Sequence, residues 1–379
     1  MEPLCNYYGK CGGCSLQHID YEVQLSNKKK RLAKLLGFSE ESLLVFNSNP
    51  YNYRNRMDFV FCKQGLGLRM KGDWKKIVSL EKCVISNEKL NSLMNEIAAF
   101  FKDVDYFDIV KHTGTFYFAV LRAPRKDSAI NFVLNEESSS LGEAVERIKE
   151  FSKVTSANNV LITFISPESN DSTQGESVVV KGSEMIAEEY LIDDAIGNKF
   201  NYSARGFFQN NTAVAEMMHK YCNEILRKYS TKEAHLLDLY GGVGTFGIMN
   251  ADLFSQVSIV ESIPQCIDAA NLNIKENNVG NAKAILLDAK HLKKLQLPQK
   301  PQQLFVITDP PRSGMDERTI EQLKKLKPEI IVYISCNPEQ LAKDILKFKE
   351  YDLKSAALFD MFPQTNHMEA VVELVLKES

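Results

Sequence analysis

The sequence lacks the features that would place it among membrane, secreted or strongly basic proteins. No apolar run is long enough to span a lipid bilayer. The N-terminus has neither the basic nor the apolar region of a signal peptide. The net charge of −3 provides no overall attraction for nucleic acid, so any such binding must use local basic patches. We therefore expect a cytoplasmic protein with no membrane partner.

The composition is that of an ordinary globular protein. The chain has 379 residues, of which 44% are hydrophobic and 25% are charged, and this length suggests two or three domains. It contains eight cysteines. In a cytoplasmic protein, cysteines indicate metal binding or catalysis before disulfides.

The pattern along the chain predicts three regions. Residues 1–50 contain a cysteine-rich segment and a basic helix, which we expect to pack with the next region. Residues 51–200 favour strands, with one helix near Asn87 to Phe101, and predict a β-rich α+β domain that binds RNA. In residues 201–379 strand and helix patterns alternate, which predicts a mostly parallel doubly wound sheet of the α/β class.

Ser335-Cys336-Asn337-Pro338 is the most informative motif. It follows the apolar run from Glu329 to Ile334, which predicts a buried strand, and Asn-Pro then turns the chain. In an open α/β sheet this carboxyl edge is where ligands bind. Thr308 to Arg312 and Asp360 to Pro363 are expected to meet there. Because part of a cysteine population is thiolate near neutral pH, Cys336 is a candidate nucleophile.

A glycine-rich turn follows another predicted strand, in Leu236 to Gly247. Its glycines fit G-x-G-x-x-G, so NAD is one possible ligand. Glu261 ends the next predicted strand, where a carboxylate can accept hydrogen bonds from both ribose hydroxyls. Asp238 and the later Asp309-Pro310-Pro311 favour S-adenosylmethionine instead. That molecule has no pyrophosphate, and its amino-acid part and ribose need acidic and polar groups around them.

Four cysteines form a possible metal site. Cys5, Cys11 and Cys14 have the spacing C-x5-C-x2-C, and Cys83 lies further along the chain. Clustered thiolates bind zinc or iron–sulfur clusters, and the spacing alone does not choose between them. The C-x3-C-x2-C motif of radical enzymes is absent from the sequence.

Together these motifs resemble the RNA 5-methyluridine (uracil-5-) methyltransferase family over nearly the whole chain. The matching segments are the cysteine cluster, Tyr53-Arg54-Asn55, Phe207 to Asn210, Asp238-Leu239-Tyr240 with its glycines, Asp309 to Arg312, Ser335 to Pro338, and Asp360 to Glu369. The last two are the specific ones. The resemblance implies a Rossmann-like class I methyltransferase domain.

The resemblance also implies roles for individual residues. Cys336 corresponds to a nucleophile that adds to uracil C6, and Glu369 to the general base. The positions that correspond to contacts with S-adenosylmethionine are Gln209, Tyr240, Thr245, Glu261, Asp288 and Asp309. Asp309 is also placed to hydrogen-bond the target uracil. Cys5, Cys11, Cys14 and Cys83 correspond to ligands of a [4Fe–4S] cluster.

The implied partner is RNA. The chain begins directly at the cysteine cluster, so the resemblance is to the shorter form without an N-terminal TRAM barrel. We therefore favour 23S-type ribosomal RNA over tRNA, and we expect a monomer. The alternative from another class is a non-catalytic RNA-binding protein that uses NAD or zinc. Side chains that could hold phosphates are Lys28 to Arg31, Arg54, Arg56, Arg69, Lys71, Lys75 and Lys76.

Overall fold

The computed structural model describes residues 2–169, 171, 175–193, 196–295 and 303–378. Within these residues the α-helices are α1 (Tyr21–Leu36), α2 (Glu88–Phe100), α3 (Leu141–Val154), α4 (Thr212–Leu226), α5 (Thr245–Met249), α6 (Pro264–Glu276), α7 (Glu317–Leu326) and α8 (Pro338–Ile345). The strands are β1 (Leu44–Phe46), β2 (Arg56–Cys62), β3 (Gly65–Met70), β4 (Asp73–Ser79), β5 (Phe116–Arg122), β6 (Ala129–Asn135), β7 (Asn159–Ile165), β8 (Glu176–Lys181), β9 (Met185–Asp193), β10 (Ile196–Ser203), β11 (His235–Leu239), β12 (Gln256–Glu261), β13 (Ala282–Leu286), β14 (Leu304–Thr308), β15 (Ile330–Ser335), β16 (Tyr351–Phe359) and β17 (Glu369–Leu376).

The chain divides into two compact units. Unit 1 comprises residues 1–21, 49–188 and 202–212, and unit 2 comprises residues 22–48, 189–201 and 213–379. The hairpin of β9 and β10 contributes residues to both units.

Unit 1 is built on a seven-stranded sheet in the order β4-β3-β2-β5-β6-β7-β8. Its strands β5 and β6 are buried along their whole length, and α2 and α3 contribute apolar side chains to the same core. Phe101 of this core packs on Phe132 and Phe151, with both ring-centroid distances at 5.1 Å. The predicted β-rich α+β fold is therefore confirmed.

One pair of neighbouring strands in unit 1 is parallel, in a sheet whose other pairs are antiparallel. β6 and β7 are parallel, and α3 connects them. Parallel neighbours require a crossover connection, and the chain from 136 to 158 supplies it with α3. The polar segment from Pro167 to Gly175, whose composition predicts a turn, lies partly outside the described residues.

Unit 2 contains an eight-stranded sheet in the order β1-β16-β17-β15-β14-β11-β12-β13. All pairs are parallel except those that β17 makes with β15 and β16. The central strands β11, β14 and β15 are almost wholly buried, as apolar runs in a doubly wound sheet should be. The predicted Rossmann-like fold is confirmed.

The predicted boundary at residue 50 does not coincide with the observed division. β1 adds to the outer edge of the unit 2 sheet by pairing with β16. Lys28 of α1 forms a buried ion pair with Asp360 at an Nζ–Oδ1 distance of 2.6 Å. The basic helix thus belongs with the C-terminal sheet, because its contacts are with residues more than 300 positions away. No helix in the described part of the chain combines the length and apolarity that crossing a membrane requires.

Candidate active site and cysteine cavity

The register of the unit 2 sheet brings Cys336 next to Glu369. Ser335, the last residue of β15, pairs with Ala370 of the antiparallel strand β17. Cys336 is the residue after Ser335, and Glu369 is the residue before Ala370, so the two lie at the same end of neighbouring strands, where Glu369 is close enough to raise the pKa of the Cys336 thiol. Asp309 leaves the adjacent strand β14 at the same edge. Three of the predicted site residues therefore lie at one edge of the sheet, with both carboxyl groups close enough to influence the Cys336 thiol.

Hydrogen bonds fix the loop that carries Cys336. The Ser335 hydroxyl accepts from the Asn337 backbone N–H at 3.1 Å, and the Asn337 side chain caps α8, whose first residue is Pro338. The Asn337 amide also donates to the Arg312 carbonyl at 2.9 Å. The Ser-Cys-Asn-Pro motif is thus a strand end joined to a helix start, and it is tied to the loop after Asp309.

The surroundings of Cys336 favour the neutral thiol. Burial, with Glu369 and then Asp309 adding to it, raises the pKa of Cys336 to about 11, while Arg312 opposes the shift. Burial also raises the pKa of Asp309 to about 7 and that of Glu369 well above its usual range. Burial, reinforced by the two acidic groups, therefore reduces the fraction of Cys336 that is thiolate at neutral pH.

The glycine-rich turn is held by two carboxylates. Asp238, buried in β11, accepts the Gly247 N–H at 2.8 Å, and Glu261 accepts the Gly242 N–H at 3.1 Å. A Cβ atom on Gly247 would lie 2.7 Å from Ile259, so only glycine fits there. Glu261 additionally accepts two backbone N–H groups from the start of its own loop. Both acids therefore shape the turn, whatever they bind.

The turn suits a ligand that approaches the backbone closely. Gly242 has φ +54°, and nothing lies within 4 Å of the position its Cβ would take. Tyr240, at the end of β11, has φ 57°, a strained conformation for a non-glycine residue that is common at binding sites. Thr245 begins α5 immediately after the glycines.

The remaining two predicted contacts are Asp288 in unit 2 and Gln209 in unit 1. Asp288 follows β13, accepts the Lys290 N–H at 3.0 Å and pairs with the Lys290 ammonium, which lowers its pKa. Gln209 lies in unit 1, where its carbonyl accepts from the Asn55 side chain at 3.2 Å.

Sequence reasoning missed the support behind Glu369. Phe359 pairs with Glu369, and the next residue, Asp360, forms the buried ion pair with Lys28. Lys28 had been expected to hold phosphate, but only 4% of its side chain is exposed. No local sequence pattern predicts an ion pair between residues so far apart in the chain. The sequence indicated only that the Asp360 to Pro363 motif lies near the site.

The four predicted cysteine ligands line one cavity of about 30 Å³ in unit 1. Cys11 makes a β-bridge with Met70, and the backbone of Cys83 exchanges hydrogen bonds with the Asn91 side chain. Burial raises the pKa of the Cys14 thiol to about 12, with the other cysteines adding to the shift. Burial likewise raises the pKa of the Cys5 and Cys11 thiols, so the neutral form of these three thiols is favoured without a metal.

The donor set fits a thiolate-bound metal group. Among the described residues no group of three or more His, Cys, Asp or Glu side chains forms a ready-made site for a single metal ion. The Gln17 amide nitrogen is buried without a nitrogen or oxygen partner in that part of the chain, and the amide adjoins the Cys14 thiol. A buried N–H beside sulfur is suited to a negatively charged sulfur centre.

Comparison with known proteins assigns the chain. The family model described as tRNA (uracil-5-)-methyltransferase matches residues 20–377. The chain belongs to this family. Members of similar sequence include an uncharacterized RNA methyltransferase of Caldanaerobacter subterraneus, 33% identical over 98% of this chain and 84% of that protein. The tRNA (uracil(54)-C(5))-methyltransferase of Pyrococcus abyssi is 32% identical over 98% of this chain and 86% of that protein.

A solved structure agrees with this assignment. The crystal structure of the Pyrococcus abyssi tRNA (uracil-54, C5)-methyltransferase in complex with S-adenosyl-L-homocysteine has a TM-score of 0.78 and 29% identity, and the match covers 96% of this chain and 86% of that one. The prediction of an S-adenosylmethionine-dependent RNA (uracil-5-)-methyltransferase is confirmed. The alternative of a non-catalytic RNA-binding protein that uses NAD or zinc is not supported.

Proposed function

We propose that the protein methylates C5 of a specific RNA uridine through a covalent bond between Cys336 and uracil C6. The observation that carries this proposal is the cross-strand placement of Cys336 and Glu369 beside Asp309. The nucleophile acts on C6 and the base on the proton of the neighbouring C5. Both side chains must therefore be able to contact the same uracil ring.

The residues supply each step. Uracil C5 is a weak nucleophile, and addition of the Cys336 thiolate to C6 moves electron density to C5. S-adenosylmethionine, when bound, supplies the electrophilic methyl group. Glu369 then takes the C5 proton, and the C6–sulfur bond breaks to return the thiolate. Burial raises the pKa of Glu369, so its ionised form is a strong base, and Glu369 must be ionised when it accepts the C5 proton.

The thiol proton must leave Cys336 before addition. Asp309 lies close enough to Cys336 to influence the pKa of the thiol, and in its ionised form it can accept this proton. We assign Asp309 this function in addition to hydrogen bonding the uracil. Because both carboxylates raise the thiol pKa, the nucleophile is generated only when a proton acceptor is available.

We infer that S-adenosylmethionine lies against the glycine-rich turn. The side chains we assign to it are Gln209, Tyr240, Thr245, Glu261, Asp288 and Asp309. The open backbone at Gly242 and the carboxylate of Glu261 beside it support this assignment.

We propose tRNA as the substrate class to test first. The family description and the Pyrococcus abyssi relative both name tRNA. The preference for 23S-type ribosomal RNA rested on where the chain begins, which is not a property of the catalytic site. Deleting the gene and mapping 5-methyluridine in tRNA and ribosomal RNA separates them: loss from tRNA alone supports the proposal, and loss from ribosomal RNA alone overturns it.

We further propose a [4Fe–4S] cluster on Cys5, Cys11, Cys14 and Cys83, in a monomeric protein. The shared cavity and the Gln17 amide support a thiolate-ligated cluster. Methyl transfer requires no electron, so the function of the cluster would be structural or would be to position the RNA. Anaerobically purified protein should contain about four iron and four sulfide ions per chain. One zinc ion per chain, with no iron and no sulfide, would reject the iron–sulfur cluster. Light scattering should give the mass of one chain, 42.9 kDa.

A further inference from the structure

Unit 1 contains a second recess, larger than the cysteine cavity, which no step of the proposed reaction uses. Its volume is about 730 Å³, within the range of small-molecule and nucleotide sites. Neither Cys336 nor Glu369 is in its wall. We call it the basic cleft, and its lining residues are Gly12, Gly13, Arg54, Arg56, Met57, Asp58, Val60, Leu68, Arg69, Met70, Lys71, Gly72, Phe118 and Asn210.

The charge of the basic cleft is strongly positive in a protein of net negative charge. Four cationic side chains line it against the single carboxylate of Asp58. Arg56 neutralises that carboxylate through two hydrogen bonds of 2.8 and 3.0 Å. The exposed Lys71 has no ion pair or side-chain hydrogen bond among the described residues. The charge that remains is therefore available to an anion.

The floor of the cleft is apolar. Val60 and Phe118 are more than nine-tenths buried and come from the adjacent strands β2 and β5. In the wall, the Asn210 Oδ1 atom is buried and has no hydrogen-bond partner within the part of the chain that the structure describes. A buried acceptor without a partner costs free energy unless a ligand donates to it. The apolar floor suits the base or sugar of a nucleotide, and the cationic rim suits its phosphate. The unpaired acceptor of Asn210 suits a hydroxyl group.

The cysteine loop forms one wall of the basic cleft. The Gly12 N–H donates to the Arg69 carbonyl at 2.9 Å, and the Lys71 N–H donates to the Lys10 carbonyl at 2.8 Å. Gly13, Arg54, Met57 and Leu68 line both recesses. The shape of the cleft thus depends on the loop that carries the cysteines.

We propose that the basic cleft binds a nucleotide of the RNA substrate other than the methylated uridine. Phosphates contact Lys71 and its cationic neighbours, the base or ribose covers Phe118, and a ribose hydroxyl or base amino group donates to Asn210. The proposal rests on the RNA function argued above, because that function supplies a polyanionic partner. It assigns substrate affinity to unit 1.

The test compares RNA binding by Lys71→Glu, the milder Lys71→Gln, and a matched control, Lys153→Glu, at an exposed site at the end of α3 outside the cleft. Affinity for tRNA transcripts is measured at several salt concentrations, alongside affinity for S-adenosylmethionine. We expect Lys71→Glu to weaken RNA binding roughly tenfold and to reduce the salt slope by about one. Lys71→Gln should show a smaller loss. The control should match the unmodified protein, and all variants should bind S-adenosylmethionine equally.

The only tryptophan gives an independent measurement. Trp74 is exposed on β4, next to the cleft, and the Arg69 guanidinium lies 5.5 Å from its ring centroid. RNA that engages the rim should change Trp74 fluorescence, and this change should require higher RNA concentrations in Lys71→Glu. If RNA affinity, salt slope and fluorescence titration are all unchanged in that variant, the proposal that the basic cleft binds RNA is rejected. The proposed methylation function would not be affected by that result. Conversely, Lys71-dependent RNA binding without uridine methylation would overturn the function and retain the cleft.

Discussion

The catalytic edge of unit 2 and the cysteine cavity of unit 1 are built in different ways. Cys336, Glu369 and Asp309 lie at strand ends, and the sheet hydrogen bonds that position them also hold the fold together. The four cysteines lie on irregular loops outside the long strands. The first site should therefore exist before any ligand binds, whereas the second should depend on what the thiols bind. The predictions below test this difference.

The largest effect should come from Cys336→Ala. Without the thiol nothing activates C5, and we expect methylation to fall roughly 10⁴-fold or more with the fold intact, because Cys336 is not a core residue. Cys266→Ala, at a half-buried cysteine on α6, is the matched control. RNA containing 5-fluorouridine should trap the unmodified protein as a slow-migrating, RNase-sensitive band on a denaturing gel. A Cys336→Ala protein that still formed this band would remove Cys336 as nucleophile.

Glu369→Gln should slow turnover by roughly 10²- to 10⁴-fold while leaving addition and methyl transfer possible. The adduct with methylated RNA should then accumulate, without any fluorinated substrate, and be visible on the same gel. Turnover at the normal rate would exclude Glu369 as the base and leave Cys336 unaffected.

Cys14→Ser should affect unit 1 far more than unit 2. Loss of one ligand should lower the iron content and reduce the melting temperature of unit 1 by about 5 °C or more, because metal binding is coupled to folding. Affinity for S-adenosylmethionine should be retained, since the glycine-rich turn belongs to unit 2. The control is Cys62→Ala in β2, outside the cavity. Equal iron content in Cys14→Ser and the unmodified protein would exclude Cys14 as a ligand.

Glu261→Ala should weaken S-adenosylmethionine binding by roughly 1.5–3 kcal/mol, the scale of hydrogen bonds to a charged group. It should also loosen the glycine-rich turn, because Glu261 holds the Gly242 N–H. Calorimetry on this variant and on Asp268→Ala, an exposed acid on α6, measures the difference. Equal affinity in both would show that Glu261 has no contact with the ligand.

The smallest effect concerns pH. Since Cys336 has a pKa of about 11, the thiolate fraction grows as pH rises, and the rate of adduct formation should increase between pH 7 and 9. Arg312 lowers that pKa, so Arg312→Gln should move the profile to higher pH. Rapid-quench measurements across the range determine both profiles. A rate independent of pH would mean that thiol ionisation does not limit addition.

The sequence alone determined the class of both regions. Alternating strand and helix patterns, the glycines after Leu239 and the motifs at Asp309, Cys336 and Asp360 were enough for the fold and the reaction. These features are local: hydrophobic periodicity and turn residues act within a few positions of each other. The cysteine spacing likewise indicated a metal site, and the structure places all four thiols around one cavity.

Only the tertiary structure decided which residues became neighbours. The antiparallel insertion of β17 places Glu369 at the same sheet edge as Cys336, and burial together with Glu369 and Asp309 raises the pKa of the Cys336 thiol. Long-range packing buries Lys28, a residue that the sequence suggested could bind phosphate, in an ion pair with Asp360. The basic cleft likewise gathers cations from separate strands. Strand register, burial and pairing over hundreds of residues depend on the whole fold, because no short segment specifies its partner.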